Sequence, residues 1–141
     1  MGILVFVLDG LKGAVSVAAG FLVFEYAGAL VLSCAAIVGH VFPITRRFKG
    51  GKGVATAGGA MLALYPLVSL VLLVVWLLAV KTTGKASIAS IIITIGLPIG
   101  VAIVGRPGGE IATTSGLAAF VIWRHWPNIK RLVGGTEHSL R

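Results

Sequence analysis

The sequence predicts an all-α integral membrane protein, a polytopic bundle of about six short transmembrane helices. Of its 141 residues, 57% are hydrophobic and only 11% are charged, and the mean hydropathy is +1.05. Soluble globular domains do not have this balance. The apolar residues form long runs, and the polar stretches between them carry most of the basic residues. A chain of this length is enough for one domain, which we predict to cover residues 1–141.

Apolar runs define the predicted crossings, and they cover residues 2–24, 27–41, 54–80, 86–104 and 111–123. About 20 residues cross a bilayer, so the run 54–80 is too long for one comfortable span, and Tyr65-Pro66 interrupts it. Lys52 precedes this run and Lys81 follows it, and basic loops favour the cytoplasmic side. If both basic segments lie in the cytoplasm, the chain crosses the membrane an even number of times between them. We therefore predict two short helices hinged near Pro66, and six crossings with both chain ends in the cytoplasm.

The first crossings contain two local features. Asp9 and Lys12 interrupt the first apolar run three residues apart, so they share a helical face and can form an ion pair. Glu25-Tyr26 offers a polar turn between the first two spans. In the later run 54–80, small residues at 57–60 suit close packing of helices in lipid.

The basic residues point to anionic lipid or an anionic substrate. The net charge of +8 would suggest nucleic acid in a soluble protein. Here the bases lie at the ends of apolar spans, where the positive-inside bias and anionic partners explain them better. We therefore predict membrane lipid, and no nucleic acid, as a partner.

A glycine-lysine loop lies at residues 39–56 and contains four of the twelve basic residues, Arg46, Arg47, Lys49 and Lys52. Glycines at positions 50, 51 and 53 surround Lys52, so the backbone can bend freely. Inward-turned N–H groups form an anion-binding nest, and a helix starting near Val54 would add its N-terminus. The pattern favours a phosphate site; the alternative is a solvated basic loop that only sets membrane orientation.

A second polar group of residues lies in the segments that we predict to be cytoplasmic. Ser87 and Ser90 begin a span three residues apart, and a basic tail starts at Arg124. If the tail is helical, Arg124, Asn128 and Arg131 share a face, although Pro127 restricts that helix to one starting there. The alternative is a juxtamembrane basic segment held to anionic lipid.

Several catalytic motifs are absent from the sequence. Lys52 is followed by Gly53 instead of Ser or Thr, so the loop is not a Walker A motif. There is no HExxH, no CxxC and no paired carboxylate, so we predict no metal site and no cofactor. A histidine-aspartate box of the thioester-dependent glycerolipid acyltransferases is also absent. A side-chain base would come from one of the four carboxylates, His40 or His125.

Four stretches carry a resemblance to a known family. They are Asp9-Gly-Leu-Lys-Gly13, the run 39–56, Ala86-Ser-Ile-Ala-Ser-Ile91, and the tail pattern from Arg124 to Glu137. In order and spacing, the chain from about Gly2 to its end resembles the bacterial acyl-phosphate:glycerol-3-phosphate acyltransferases, the PlsY family. The resemblance implies a multi-pass enzyme of the bacterial inner membrane with a cytoplasmic active face. It would transfer a fatty acyl group from acyl phosphate to the 1-hydroxyl of glycerol 3-phosphate, giving lysophosphatidic acid and phosphate for phospholipid biosynthesis.

The resemblance also implies the site residues. The positions that match catalytic groups are Lys52, Ser90, His125 and Asn128. The positions that match substrate or phosphate binding are Lys49, Gly50, Gly51, Gly53, Thr56, His40, Arg124, Arg131 and Glu137. The hydroxyl proton would go to a substrate phosphate oxygen or to His125, and the residues leave both routes open.

The chain departs from the family pattern in three places. The family's first span and its glycine-serine-asparagine motif would precede Gly2, and six crossings match the family's seven without that first helix. Gly84-Lys85 stands where an arginine-aromatic pair is usual, and Pro127 replaces a polar residue. We therefore expect the 141-residue chain by itself to be weak or inactive. The alternative function is a non-catalytic membrane protein that binds or transports an anion or lipid phosphate, or an inactive shortened relative.

Overall fold

The structure, a computed structural model, describes residues 2–48 and 50–140, and the elements that it describes are helices. They are α1 (Gly2–Val41), a 3-10 turn (Ile44–Arg46), α2 (Val54–Leu64), α3 (Pro66–Thr83), α4 (Ala86–Ile103), α5 (Gly108–Arg124) and α6 (Trp126–Val133). The all-helical prediction is confirmed. The chain forms two compact units, one up to Ser69 and one from Leu70 onward.

Helix α1 is a hairpin of two helical arms, residues 2–23 and 26–41. Phe24 (φ −140°, ψ 34°) and Glu25 (φ 52°, ψ −140°) leave the helical conformation. Nδ1 of His40 lies 3.2 Å from Oδ1 of Asp9, 31 residues away, whereas a straight helix would separate them by about 45 Å. The chain therefore reverses at Phe24-Glu25, which confirms the turn predicted at Glu25-Tyr26.

Glycines let the backbones of the first unit approach closely. A Cβ atom on Gly20 would lie 2.5 Å from the nitrogen of Ala29, so the two arms of α1 touch near their turn. A Cβ atom on Gly13 would lie 2.9 Å from the nitrogen of Ala60 in α2, and one on Gly59 would lie 2.8 Å from Cα of Gly10. Such contacts suit helix association in lipid. Of the small residues at 57–60, Gly59 and Ala60 therefore make the predicted packing contact.

The predicted hinge near Pro66 is confirmed. Tyr65 is non-helical (φ −133°, ψ 65°) and ends α2, and Pro66 begins α3. Proline suits a first helical turn because its missing N–H would have no partner there. Among the described residues, the helical stretch Leu4–Val41 and helices α3 and α4 are long and apolar enough to cross a membrane, while α2 is shorter.

In the second unit, a short connection after Ile103 joins α4 to α5, and the two helices pack against each other. Nε of Arg106 lies 2.9 Å from Oε2 of Glu110, whose side chain is 8% exposed. Beyond α6, the tail returns to the turn between α3 and α4, where the Leu140 N–H donates a hydrogen bond of 2.7 Å to the carbonyl of Gly84. The C-terminal segment thus lies over the start of α4.

Candidate functional site

The glycine-lysine loop of the first unit is fixed to the end of α1. The Gly50 N–H donates a 3.1 Å hydrogen bond to the carbonyl of Val41. A Cβ atom on Gly50 would lie 2.6 Å from Cδ of Pro43, so no larger residue fits without a shift. The predicted nest therefore does not use the Gly50 N–H, because that group already has a backbone acceptor. Gly50 shapes the loop by allowing this close approach.

His40 supports the same loop from the side of α1. Its ring lies against Gly51, where a Cβ atom would come 3.0 Å from Cε1 of the ring. Nδ1 of His40 is 3.2 Å from Oδ1 of Asp9 and 3.2 Å from Nζ of Lys12. The predicted pair between Asp9 and Lys12 is present at 3.0 Å.

The third member of this cluster, His40, was missed as a partner of Asp9 and Lys12. A hairpin with its turn at residues 24–25 places residues opposite each other when their numbers sum to about 49. Asp9 and His40 satisfy that relation. The turn predicted at Glu25-Tyr26 gives a sum of about 51, so it would have placed His40 within one helical turn of the level of Asp9.

The loop leads into α2 through Gly53, which has a positive φ of 85°. Lys52 is exposed, and Thr56 in the first turn of α2 is fully buried. Oγ1 of Thr56 has no hydrogen-bond partner among the described residues. Lys49, predicted to bind phosphate, lies outside the described residues.

The second unit contains the predicted serines and the predicted histidine. Ser87 and Ser90 are each 7% exposed, and Nε1 of Trp76 donates to Oγ of Ser90 at 3.4 Å. His125 is 2% exposed, and its Nδ1 lies 2.8 Å from the carbonyl oxygen of Val121. A carbonyl can only accept, so Nδ1 carries a hydrogen, and in the neutral form of the ring the lone pair is on Nε2.

The predicted common face of the tail needs a correction. Helix α5 ends at Arg124 and α6 starts at Trp126, so Arg124 does not lie on the same helix as Asn128 and Arg131. Pro127 falls in the first turn of α6, which confirms its predicted effect. The guanidinium of Arg124 lies 5.7 Å from the centre of the Trp123 ring.

Glu137 joins the two polar residues of α6. Nδ2 of Asn128 donates to Oε1 of Glu137 at 2.6 Å, and Nε of Arg131 donates to Oε2 at 2.7 Å. The Glu137 side chain is 6% exposed. Burial raises the pKa of this carboxyl, but the hydrogen bonds from Asn128 and Arg131, the nearby Ser87 hydroxyl and the Arg131 charge outweigh it, so the pKa falls to about 2. The Ser87 hydroxyl faces the carboxylate without reaching hydrogen-bond geometry. Glu137 is therefore ionised at neutral pH.

Comparisons with known proteins extend over almost the whole chain. A family model described as Glycerol-3-phosphate acyltransferase matches residues 1–135. A protein of that name from Desulforamulus reducens is 36% identical over 140 residues, which cover 99% of this chain and 70% of the relative. Another from Fusobacterium nucleatum is 37% identical over 142 residues, covering 100% of this chain and 73% of the relative. A third, from Sinorhizobium fredii, is 39% identical over 94% of this chain and 64% of the relative.

Two solved structures are also similar. Both are crystal structures of PlsY, an integral membrane glycerol 3-phosphate acyltransferase, in its glycerol 3-phosphate form (TM-score 0.93) and its lysophosphatidic acid form (TM-score 0.92). Each is 36% identical and matches 98% of this chain, which spans 70% and 71% of the two solved chains. The predicted class, an all-α integral membrane protein, is therefore confirmed. The chain belongs to the glycerol-3-phosphate acyltransferase family.

Proposed function

We propose that the chain transfers a fatty acyl group from acyl phosphate to the 1-hydroxyl of glycerol 3-phosphate, as a step of phospholipid biosynthesis. The products are lysophosphatidic acid and inorganic phosphate. The observation that carries this proposal is the likeness, at a TM-score of 0.93 and 36% identity, to an integral membrane glycerol 3-phosphate acyltransferase in its glycerol 3-phosphate form. The lysophosphatidic acid form of that enzyme supports the same assignment.

Acyl phosphate suits the chemistry of the residues present. It is a mixed anhydride, so its carbonyl is already activated. The hydroxyl oxygen attacks the carbonyl carbon, the bond from that carbon to the phosphate oxygen breaks, and phosphate leaves with the electron pair. The protein mainly has to align two anions and neutralise developing charge. Lysine, arginine and backbone N–H groups do this work.

We assign the roles as follows. Lys52, Ser90, His125 and Asn128 act on the reacting groups. Lys52 is an exposed cation in the glycine-lysine loop, and Ser90 and His125 are buried polar groups. Substrate or phosphate binding falls to Lys49, Gly50, Gly51, Gly53, Thr56, His40, Arg124, Arg131 and Glu137. Within this set, the contacts of Gly50, His40 and Glu137 with protein groups favour an indirect role, in which each holds a neighbour in place.

The hydroxyl proton has two possible acceptors. One is a substrate phosphate oxygen, and the other is His125, which would accept at Nε2 because its Nδ1 donates to the carbonyl of Val121. The pH–rate profile of His125→Gln separates them. Retained turnover that falls off at the same pH limits as in the unchanged enzyme assigns the proton to phosphate, while loss of one limb assigns it to His125.

We place the protein in the bacterial inner membrane with its active face in the cytoplasm. The chain's basic loops support this orientation. Single cysteines introduced by Arg47→Cys, Lys85→Cys and Lys130→Cys, in a Cys34→Ala background, should be labelled only from the cytoplasmic side. Labelling of position 85 from outside would contradict two crossings between Lys52 and Lys81.

The donor can be tested directly by offering glycerol 3-phosphate with either palmitoyl phosphate or palmitoyl-coenzyme A. We expect mass spectrometry to detect lysophosphatidic acid with the phosphate donor at a rate at least about a hundredfold above the thioester. Equal rates with both donors would contradict the acyl phosphate assignment. Binding of glycerol 3-phosphate without product from either donor would instead favour a non-catalytic binding protein.

A further inference from the structure

The hydrogen bond between Asn128 and Glu137 determines which way the Asn128 amide points. An ionised carboxylate has lone pairs and no hydrogen, so it can only accept. The group of Asn128 that lies 2.6 Å from Oε1 of Glu137 must therefore be its NH2 group. Arg131 occupies the other carboxylate oxygen at 2.7 Å, so both oxygens of Glu137 already receive donors.

The oxygen of the Asn128 amide faces away from Glu137. Asn128 is 3% exposed, and its Oδ1 is buried without a hydrogen-bond partner among the described residues. Buried acceptors in folded proteins nearly always receive a hydrogen bond, because leaving one unpaired costs free energy. The amide oxygen therefore calls for a donor from outside the described part of the chain.

We propose that Glu137 holds Asn128 so that its amide oxygen accepts a hydrogen bond from a hydroxyl group of glycerol 3-phosphate, and that this oxygen does not contact a phosphate. This inference rests on the proposed function. Glycerol 3-phosphate carries two hydroxyl donors, whereas phosphate oxygens at neutral pH mainly accept. Asn128 thereby recognises the acyl acceptor and distinguishes it from the inorganic phosphate product.

Glu137 acts in this scheme as a positioning residue. If the amide were flipped, its oxygen would face the Glu137 carboxylate, and two acceptors would then repel each other. The oxygen therefore faces away from Glu137, where it can only accept a hydrogen bond. The ion pair with Arg131 keeps Glu137 from rotating away. Glu137 therefore fixes the polarity of Asn128 without touching the substrate.

The first test compares two probes on the purified protein by titration calorimetry, glycerol 3-phosphate and inorganic phosphate. Asn128→Ala should weaken glycerol 3-phosphate binding about tenfold, the loss expected for one buried hydrogen bond. Inorganic phosphate binding should stay within about twofold. Ser139→Ala, a change elsewhere in the same tail, should leave both affinities unchanged. An equal loss for both probes in Asn128→Ala would overturn the inference.

The second test exchanges the two partners. In the double variant Asn128→Asp/Glu137→Gln, the glutamine NH2 donates to the aspartate, and its oxygen accepts from Arg131. The aspartate then presents an oxygen acceptor to the substrate, as Asn128 does. Each single variant should lose about tenfold in glycerol 3-phosphate affinity, and the double variant should recover to within about threefold of the unchanged protein.

A phosphate-binding Asn128 predicts the opposite for the double variant. A carboxylate at position 128 would repel phosphate, so no recovery in a folded double variant would overturn the inference. Thermal melting in detergent establishes folding, and if the double variant does not fold, the two-probe comparison on Asn128→Ala decides. Failure of the unchanged protein to bind either probe would contradict the proposed function itself. If glycerol 3-phosphate binds, the affinity of 3-hydroxypropyl phosphate, which lacks the 2-hydroxyl, shows which hydroxyl donates to Asn128.

Discussion

Two clusters in this molecule use the same arrangement, a carboxylate beside basic or amide donors, in different surroundings. In the first unit, Asp9 is 23% exposed and contacts Lys12, which is 47% exposed. In the second, Glu137 is 6% exposed and receives hydrogen bonds from Asn128 and Arg131. The first pair is the more exposed, and an ion pair that water and salt can reach contributes little. In the second cluster the Glu137 carboxylate and Asn128 are shielded from solvent, although Arg131 is 39% exposed, so removal of Glu137 or Asn128 leaves a shielded polar group without a partner.

The comparison also separates two functions. The Asp9 cluster includes His40, whose ring lies against the glycine-lysine loop that carries Lys52. The Glu137 cluster fixes a buried amide and leaves its oxygen for a ligand. We therefore expect the Asp9 cluster to tolerate single changes, and the Glu137 cluster to depend on each of its members.

The largest effect is expected at Lys52. Lys52→Ala should reduce acyl transfer about a hundredfold or more, because a lost transition-state donor costs about 3 kcal/mol. The side chain is exposed, so the protein should remain folded in detergent. Lys52→Arg should also fail substantially, because a planar guanidinium does not replace a compact ammonium among glycines. Lys81→Ala, in the last turn of α3, serves as the matched control and should stay active. Near-normal turnover of Lys52→Ala would contradict a phosphate role for the loop.

The next effect concerns acid stability and the Glu137 cluster. The pKa of Glu137 is about 2, below the ordinary value of 4.5. The unfolded chain therefore binds the proton first as the pH falls. Stability from the ionised carboxylate should be fully present above about pH 4.5 and lost between there and about pH 2. Melting temperatures of the unchanged protein and of Glu137→Gln should converge across that range. Parallel curves would show that Glu137 has no depressed pKa.

The comparison between the clusters can be sharpened by two double-mutant cycles on melting stability. The cycle Asn128→Ala with Glu137→Ala should give a coupling above about 1 kcal/mol, as expected for a charge-assisted hydrogen bond. The cycle Asp9→Ala with Lys12→Ala should give about 0.5 kcal/mol or less, the range of exposed ion pairs. A larger coupling for Asp9 and Lys12 would mean that lipid or protein shields this pair from water.

The smallest effect is expected from Asp9→Asn. The amide keeps the size of the side chain and an oxygen acceptor, so Lys12 and His40 retain a hydrogen-bond partner. Turnover should fall no more than about threefold, and the Michaelis constant for glycerol 3-phosphate should change little. A tenfold loss would indicate that the charge of Asp9, acting through His40, holds the glycine-lysine loop in its working shape.

The sequence predicted those features that depend on neighbouring residues. Apolar runs placed the helices, Pro66 and Glu25 marked the breaks, and the three-residue spacing gave the pair of Asp9 and Lys12. These predictions succeed because helix formation, proline geometry and contacts within one turn are local.

The contacts that the sequence did not predict connect distant segments. The bond from the Gly50 N–H to Val41 and the return of Leu140 to Gly84 depend on paths through irregular backbone. No periodicity marks the tail after Gly134-Gly135, so the position of Glu137 against Asn128 could not be derived from spacing. Only the family resemblance had drawn attention to Glu137, and it did not give its contacts.

The most direct test of acyl transfer to glycerol 3-phosphate is phosphate release from palmitoyl phosphate, measured with and without glycerol 3-phosphate. It is made on the purified 141-residue chain and on a version extended at its N-terminus by the helix and glycine-serine-asparagine motif of the family. We expect release that depends on glycerol 3-phosphate, with one lysophosphatidic acid formed per phosphate, and a faster rate in the extended version. Release at the same rate without glycerol 3-phosphate, or no lysophosphatidic acid from either form, would contradict an acyltransferase function.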